Sequence, residues 1–443
     1  MNRFSRFLFA SVLVLSLLAV YRLFSGPPLP RGAIVLTNLE AYELAQQSFQ
    51  VSSHTTVLID GVGSVDDRRR ANGLAAYPWI VRISTGEVVW AMNESSGLVL
   101  NGSIATVTQD ELLLEPGEYT LNFASYGQLL QRSRGSFRKD QNKWNAVVHS
   151  PDDNNVLRSI DGHIEDRGED HIWDATSLGS DEKREYLFEI RSPVNLTIHA
   201  IGQLSDQDEV QPLDYSQIED AITGQAIWQL TRDNTTWAGG VYENRIFRGQ
   251  RSLLPGVYRA IATTNGTHHY DSWRGNPPYI PEGWGIRLSV SERESVRTFD
   301  PWMQQRNPLI GFTQVGDDEE YSQTFTVVDT TAVVVHALGE LTGPDNGYDL
   351  ARLDQQGDQG DWFALWEMSW EGSAHAGGAR KNRKEVKFFR LPPGVYKLRY
   401  ESDGSHSFDH WNASEPDYPE RWGVSMFSVM DNASSVILDR SIE

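Results

Sequence analysis

Apolar and polar residues alternate along most of the chain beyond residue 30. Val57 and Ile59, Leu196 and Ile198, Val333 and Val335, Tyr258 and Ala260, and Tyr396 and Leu398 each lie two positions apart. That period puts one face of a β-strand in a core and the other in water. No amphipathic helical stretch of useful length competes with it. Trp79 to Met92 reads as a hairpin, with Val81, Ile83, Val88 and Trp90 flanking the turn Ser84-Thr85-Gly86-Glu87, and Ile222 to Trp228 repeats it. Pro-Gly ahead of Tyr marks a tight turn that opens the next strand, because Pro fixes φ and Gly tolerates positive φ.

The same landmarks recur three times. Phe49-x-Val51, Phe188-x-Ile190 and Phe325-x-Val327 are each followed by an apolar pair and then, fourteen residues after the Phe, by Gly63, Gly202 and Gly339. Trp90, Trp228 and Trp366 come next, then Pro116 to Tyr119, Pro255 to Tyr258 and Pro393 to Tyr396, and last Trp144, Trp284 and Trp422. Self-similarity at this spacing, with roughly 100 residues of short strands per copy, predicts an all-β chain of three tandem jelly-roll-like β-sandwich domains. The expected boundaries are a diverged unit at 27–149, an acidic linker at 150–184, a second unit at 185–291, a linker at 292–319 and a third unit at 320–435. The second linker carries Pro301-Trp302 and Pro308, which suits packing against a neighbour better than free swinging.

Residues 1–26 precede this pattern and are predicted to be a membrane or signal helix. Arg3 and Arg6 stand before an apolar run from Phe7 to Val20, and Gly26-Pro27-Pro28 ends it. The run suits a signal peptide in length, but the small residues of a cleavage site are missing around Leu23 to Gly26. As an uncleaved anchor it is slightly short unless Phe4 and Phe24 join it and Arg22 snorkels. Both alternatives place everything after about residue 30 outside the cytoplasm, at the cell envelope or secreted.

Composition narrows the chemistry. With 39 Lys and Arg against 60 Asp and Glu, the formal charge is −21, which disfavours a nucleic-acid partner. Zero cysteines exclude disulfide scaffolds, Cys-ligated metals and thiol catalysis. Seven N-x-S/T sequons, beginning at Asn93, Asn101, Asn195, Asn234, Asn265, Asn412 and Asn432, read as chance in a Ser/Thr-rich β protein, since a long cysteine-free eukaryotic ectodomain would be unusual.

The acidic lead-in, the Phe-x-Ile/Val start, the strand ending in Gly and the Pro-Gly-x-Tyr turn together resemble the prepeptidase C-terminal and CUB-like β-sandwich domains of exported bacterial proteins. The resemblance spans all three copies at the level of strand patterns. It implies accessory binding or stabilising modules, some of which hold calcium. No calcium motif carries over residue by residue, so no cofactor is assigned.

Copies two and three share polar residues that copy one lacks. Ala238-Gly239-Gly240-x-x-x-Asn244-Arg245 matches Ala376-Gly377-Gly378-x-x-x-Asn382-Arg383. Thr267-His268-x-Tyr270-Asp271-x-Trp273 matches Ser405-His406-x-Phe408-Asp409-x-Trp411, and Pro278-x-x-Pro281-Glu282-x-Trp284 matches Pro416-x-x-Pro419-Glu420-x-Trp422. Two readings compete for Asn244, Arg245, His268, Asp271, Trp273, Asn382, Arg383, His406, Asp409 and Trp411. They form a ligand surface in which Trp offers a flat face and Asn, Arg and Asp offer directed hydrogen bonds. Alternatively they staple long loops to the sandwich, with Arg bonded to a carboxylate such as Glu282 or Glu420.

His199 and His336, on matching strands, read as hydrogen-bonded interior or edge residues. His268, His269, His406 and His410 beside Asp271 and Asp409 are compatible with a metal, without being specific to one. No hydrolase elbow, zincin motif or phosphate loop occurs. The expected role is noncatalytic binding of cell-surface carbohydrate or protein through loops of copies two and three. A hydrolase using Asp271 or Asp409, and a stalk without small ligand, are the alternatives.

Overall fold

The computed structural model describes residues 30–65, 74–93, 98–99, 105–126, 144–152, 156–160, 171–205, 214–270, 272–344, 346–429 and 436–438. The apolar run 7–20, with its anchor and signal readings, lies outside these residues, and so does Asp271. No helix among the described residues is long and apolar enough to cross a membrane. The chain is all-β and sandwich-like, and its described helical pieces are three-residue 3-10 turns at Pro281–Gly283, Arg293–Ser295 and Pro419–Arg421.

In residues 171–298 two sheets face each other. One runs His171–Ala175, Gly285–Ser289, Val194–Gln203, Asn244–Leu253, Thr236–Trp237, and the other runs Ala226–Gln229, Tyr215–Asp220, Gly256–Thr263, Lys183–Ile190, Val296–Thr298. Residues 310–438 repeat this order, with Ile310–Thr313, Gly423–Ser428, Thr331–Gly343 and Asn382–Leu391 in one layer and Asn346–Gln356, Gly394–Glu401, Glu320–Val327 and Val436–Leu438 in the other. Here the long strand Thr331–Gly343 turns the corner and pairs with Asn346–Gln356 through two register shifts, so the two layers join into one ten-stranded sheet. Residues 34–160 join in the same way, through the pairing of Thr55–Val65 with Leu74–Arg82.

The recurring landmarks hold corresponding places. Phe49, Phe188 and Phe325 are fully buried and stack on Tyr119, Tyr258 and Tyr396 at 5.6, 5.7 and 5.6 Å. Each Tyr hydroxyl donates to the carbonyl four residues earlier, that of Glu115, Leu254 or Pro392. The Pro-Gly-x-Tyr signature is therefore a turn closed by its own tyrosine. Gly63, Gly202 and Gly339 sit where a Cβ would run into the carbonyl of Ala76, Asp214 or Asp349, at the corner where the two layers meet. Trp144, Trp284 and Trp422 are buried in their cores.

The stretches expected as linkers contribute strands. Leu157–Ile160 pairs with Leu44–Val51, and His171–Ala175 pairs with Gly285–Ser289. Val296–Thr298 pairs with Lys183–Ile190, and Ile310–Thr313 pairs with Gly423–Ser428. These are edge strands of three to five residues with only one or two buried side chains each, too few to produce a visible alternation amid so many acids.

Residues 171–298 and 310–438 pack together through a largely apolar junction. Ala221, Val257 and Phe299 meet Val334, Phe388, Phe427 and Val429 in one buried cluster. Phe299 lies 5.6 Å from Phe388, and Trp302 meets Phe427 edge-on at 5.3 Å. Arg306 donates to the carbonyls of Ser428 and Val429 and reaches Glu189 at 3.5 Å. The Pro-Trp connector is thus part of the junction, as its composition suggested.

Candidate functional site

The shared polar motifs of the second and third segments build two matching buried knots. Gly239 and Gly240 have φ of 95° and 68°, and Gly377 and Gly378 have 89° and 64°, values that favour glycine. A Cβ on Gly240 or Gly378 would collide with the carbonyl of Pro277 or Glu415, so this turn presses against the following loop. Asn244 and Asn382 then clamp the two together. Asn382 Nδ2 donates to Gly377 O and Ser414 O, both at 2.9 Å, and Asn244 Nδ2 donates to Gly239 O at 3.0 Å and Asn276 O at 3.1 Å.

With both amide hydrogens committed, the Asn oxygen must accept, which fixes the facing histidine tautomer. His406 Nε2 donates to Asn382 Oδ1 at 2.5 Å and His268 Nε2 to Asn244 Oδ1 at 3.0 Å, while Arg274 N–H donates to His268 Nδ1. Both rings are fully buried, and burial pushes His268 down to about 3 and His406 down to about 4. Each neutral imidazole stands edge-on between two tryptophans, Trp273 and Trp284 or Trp411 and Trp422, which cross each other at 89°. The closing Trp422 in turn donates to Asp349, whose carboxyl burial raises to about 7.

Of the ten sequence-selected residues, Asn244, His268, Trp273, Asn382 and His406 lie inside, and Trp411 is half-buried. Arg245 donates to the hydroxyl and carbonyl of Thr235, and Arg383 to those of Ser373. Arginine therefore ties a backbone turn here, whereas the stapling alternative paired it with a carboxylate such as Glu282 or Glu420. Asp409 is exposed in a left-handed turn at φ 64°. His410 bonds to Asp317 at 2.9 Å. No group of three His, Asp or Glu among the described residues is arranged to hold a metal.

A different set of residues lines a cleft of about 700 Å³ between the first and second segments. One wall is the outer face of the sheet containing Val194–Gln203. Across that sheet, Arg248, His199 and Arg287 form one row, and Gln250, Thr197 and Ser289 form the next. The other wall is the outer face of the first segment's Leu44–Val51 and Gly117–Ala124 strands, with Ser48, Thr120 and Asn122. Tyr279, Ile280 and Glu282 bound the cleft on one side and the hairpin turn at Gly86 on another.

Direct bonds pin the walls in place. Trp79 Nε1 donates to Tyr279 O at 2.8 Å, and Asn276 Nδ2 donates to Leu74 O at 2.9 Å. Arg248 Nη2 donates to Gly86 O at 2.7 Å and its Nε faces His199 Nε2 at 3.3 Å. Gln46 bridges the cleft wall by donating to Glu282 and to Asn122. Arg287 donates to Asp174 at 2.8 Å; burial alone would raise that carboxyl, but Thr176 and Arg287 bring it below its ordinary value. Burial, helped by Arg248 and Arg287, drives His199 down to about 3, so the ring is neutral at physiological pH.

The two junctions use the same sheet faces. In the third segment, Val334 pairs across with Phe388 and Phe427, and His336 with Val386 and Ser425. These are the register equivalents of Thr197 with Gln250 and Ser289, and of His199 with Arg248 and Arg287. The face that closes with Phe and Val in one place carries hydroxyls and guanidiniums in the other. Sequence reasoning missed this cleft because its residues read as ordinary outward-facing strand positions. Lining up the two segments at their offset of 137 to 138 residues would have exposed the Arg-for-Val and Ser-for-Phe exchanges. No protein-family model matches this chain, and no curated protein matches it either.

Proposed function

We propose that the protein is a noncatalytic, extracytoplasmic binding protein of the cell envelope, built from three tandem jelly-roll-like β-sandwich units, that holds its ligand in the cleft between the first two. The observation that carries this is the contrast between two register-matched junctions, one apolar and filled, the other bordered by hydroxyls, guanidiniums and carboxylates among apolar side chains and open over about 700 Å³. Clefts between packed units, with a few convergent polar groups, are where ligand sites concentrate. A polar face held partly out of water is costly unless its groups find partners.

Binding without catalysis is favoured because the carboxylates of the cleft and His199 are already engaged, and His171 is tied through one ring nitrogen to Ser289. Asp174 is bound by Arg287 and Thr176, Glu282 by Gln46, and His199 faces Arg248. General acid–base chemistry needs a group free to exchange a proton with substrate near neutral pH. The tandem arrangement is supported by the matching Phe–Tyr stacks and corner glycines. A place outside the cytoplasm rests on the basic and apolar start of the chain. The resemblance to prepeptidase C-terminal and CUB-like domains suits an accessory binding role. The Asn–His–Trp knots then serve as loop fasteners.

The test is a thermal-shift screen of the full-length protein and its Ser289→Phe variant against small molecules, peptides and glycans. Phe427 already occupies the matching position of the third segment, so the variant should fold. Probes that stabilise the wild type and lose their effect in Ser289→Phe support the cleft; probes that keep their effect would place binding elsewhere and overturn it.

A further inference from the structure

We infer that the ligand of this cleft is a neutral, hydroxyl-rich molecule, a short oligosaccharide, gripped between Arg248 and His199 on one wall and Thr120 on the other. The inference rests on the cleft being the binding site and adds the chemistry of what fills it.

Charge is the first argument. The Arg, Asp and Glu side chains lining the cleft are Arg248, Arg287, Asp174 and Glu282, two of each sign that offset one another, beside the two imidazoles of His171 and His199. An anion would meet two carboxylates there, after approaching a chain of net charge −21. A cation would meet two guanidiniums. A neutral molecule meets neither obstacle.

The second argument is the mixture of hydrogen-bonding groups. Arg248 offers only donors, the two carboxylates only acceptors, and the Thr120 and Thr197 hydroxyls offer both. They come from opposite walls. A sugar hydroxyl donates and accepts at once, so a ring whose hydroxyls point in several directions can use such a lining where a purely accepting or purely donating ligand cannot. His199 contributes as a neutral imidazole whose ε nitrogen faces Arg248 at 3.3 Å.

The third argument is the apolar share. Val81, Ile83, Tyr279 and Ile280 interrupt the polar lining. Sugar rings present C–H faces between their hydroxyl edges, and these apolar side chains offer surface for them, while the Tyr279 ring itself packs against Gly239, Trp79 and Trp237. The volume, about 700 Å³, lies within the range of small-ligand pockets and leaves room for more than a single ring.

Isothermal titration on the full-length protein separates the outcomes. The probes are cellotriose, maltotriose, mannotriose and triacetylchitotriose as neutral ligands, trigalacturonate as the anion and the chitosan trimer as the cation. Binding of at least one neutral trimer is expected, abolished by Ser289→Phe and weakened by about ten- to hundredfold in Arg248→Leu, the loss of a charged donor. Thr197→Val, which keeps shape and removes a hydroxyl, should weaken binding by a smaller factor without changing thermal stability. Preference for trigalacturonate or for chitosan trimer, still abolished by Ser289→Phe, would keep the cleft as the site and overturn its neutral chemistry. Binding that survives Ser289→Phe would overturn the cleft itself, and no binding of any neutral trimer would overturn the present inference.

Discussion

Replacing Asn382 by Ala should release the loops of the third segment. Asn382 is fully buried, and its amide satisfies three groups, the carbonyls of Gly377 and Ser414 and the Nε2–H of His406. Each group left buried without a partner costs about 1–3 kcal/mol. Because neighbouring losses are not additive and some water will enter, we expect about 3–5 kcal/mol in all. The natural assay is amide hydrogen exchange on the full-length protein, which reads local opening even when segments unfold separately. Ala379 N–H, bonded to Ser414 O, and Asp417 N–H, bonded to Ala376 O, report on the two sides of the clamp. At about 1.4 kcal/mol per factor of ten, their exchange should quicken by roughly 10²- to 10³-fold or more. Asp409→Asn keeps the preference for a left-handed turn and changes only an exposed charge, so it should move stability by no more than about 0.5 kcal/mol. An Asn382→Ala protein whose two amides exchange at wild-type rates would refute the clamp and return these residues to the list of ligand contacts.

Other consequences follow from the same geometry. Gly378→Ala puts a Cβ against the Glu415 carbonyl at a φ of 64° and should destabilise by well over about 1 kcal/mol in urea unfolding, whereas Gly224→Ala, in an open turn at φ 69° with no neighbour within 4 Å, should cost only the left-handed strain of about 1–2 kcal/mol. Burial raises the Asp349 carboxyl from 3.8 to about 7, so its contribution to stability is present below pH 3.8 and is lost as pH rises through 7. Asp349→Asn should therefore gain stability relative to wild type as pH rises across that window and show a constant difference outside it; a difference independent of pH would remove the buried carboxyl from the account. Phe388→Ala opens a hole in the apolar junction beside Phe299 and should cost about 3 kcal/mol or more, read as earlier unfolding in urea and as a broader small-angle scattering profile; unchanged unfolding would mean the two segments do not lean on each other.

Much of the strand framework was legible because its landmarks are side chains with one available job. A Phe two residues before a strand Val, and a Tyr after Pro-Gly, must bury their rings, and they do so on each other. The short edge strands at Leu157–Ile160 and His171–Ala175 were hidden because they bury one or two side chains each among many acids. The shared polar residues of the second and third segments were visible as motifs, but nothing in their spacing tells whether an Asn–His pair faces a ligand or two carbonyls of its own chain. In the fold both Asn382 amide hydrogens and its oxygen bond within the chain. The cleft was the least legible of all. Its Arg–His–Arg row comes from three strands spread between residues 199 and 287, and its other wall lies near residues 48 and 120, so no local pattern contains it. One-sided polarity is what any exposed strand shows. Only the juxtaposition of two sheet faces turns it into a lining.

The most direct measurement is hydrogen exchange of the full-length protein with and without a bound oligosaccharide. Protection should appear along the two walls, around Ile83 to Gly86, Thr197 to His199, Phe247 to Gln250 and Thr120 to Asn122, and leave the loops at His268 and at His406 to Trp411 unchanged. Protection confined to those loops, with the two walls exchanging as in the free protein, would contradict the assignment of binding to the cleft.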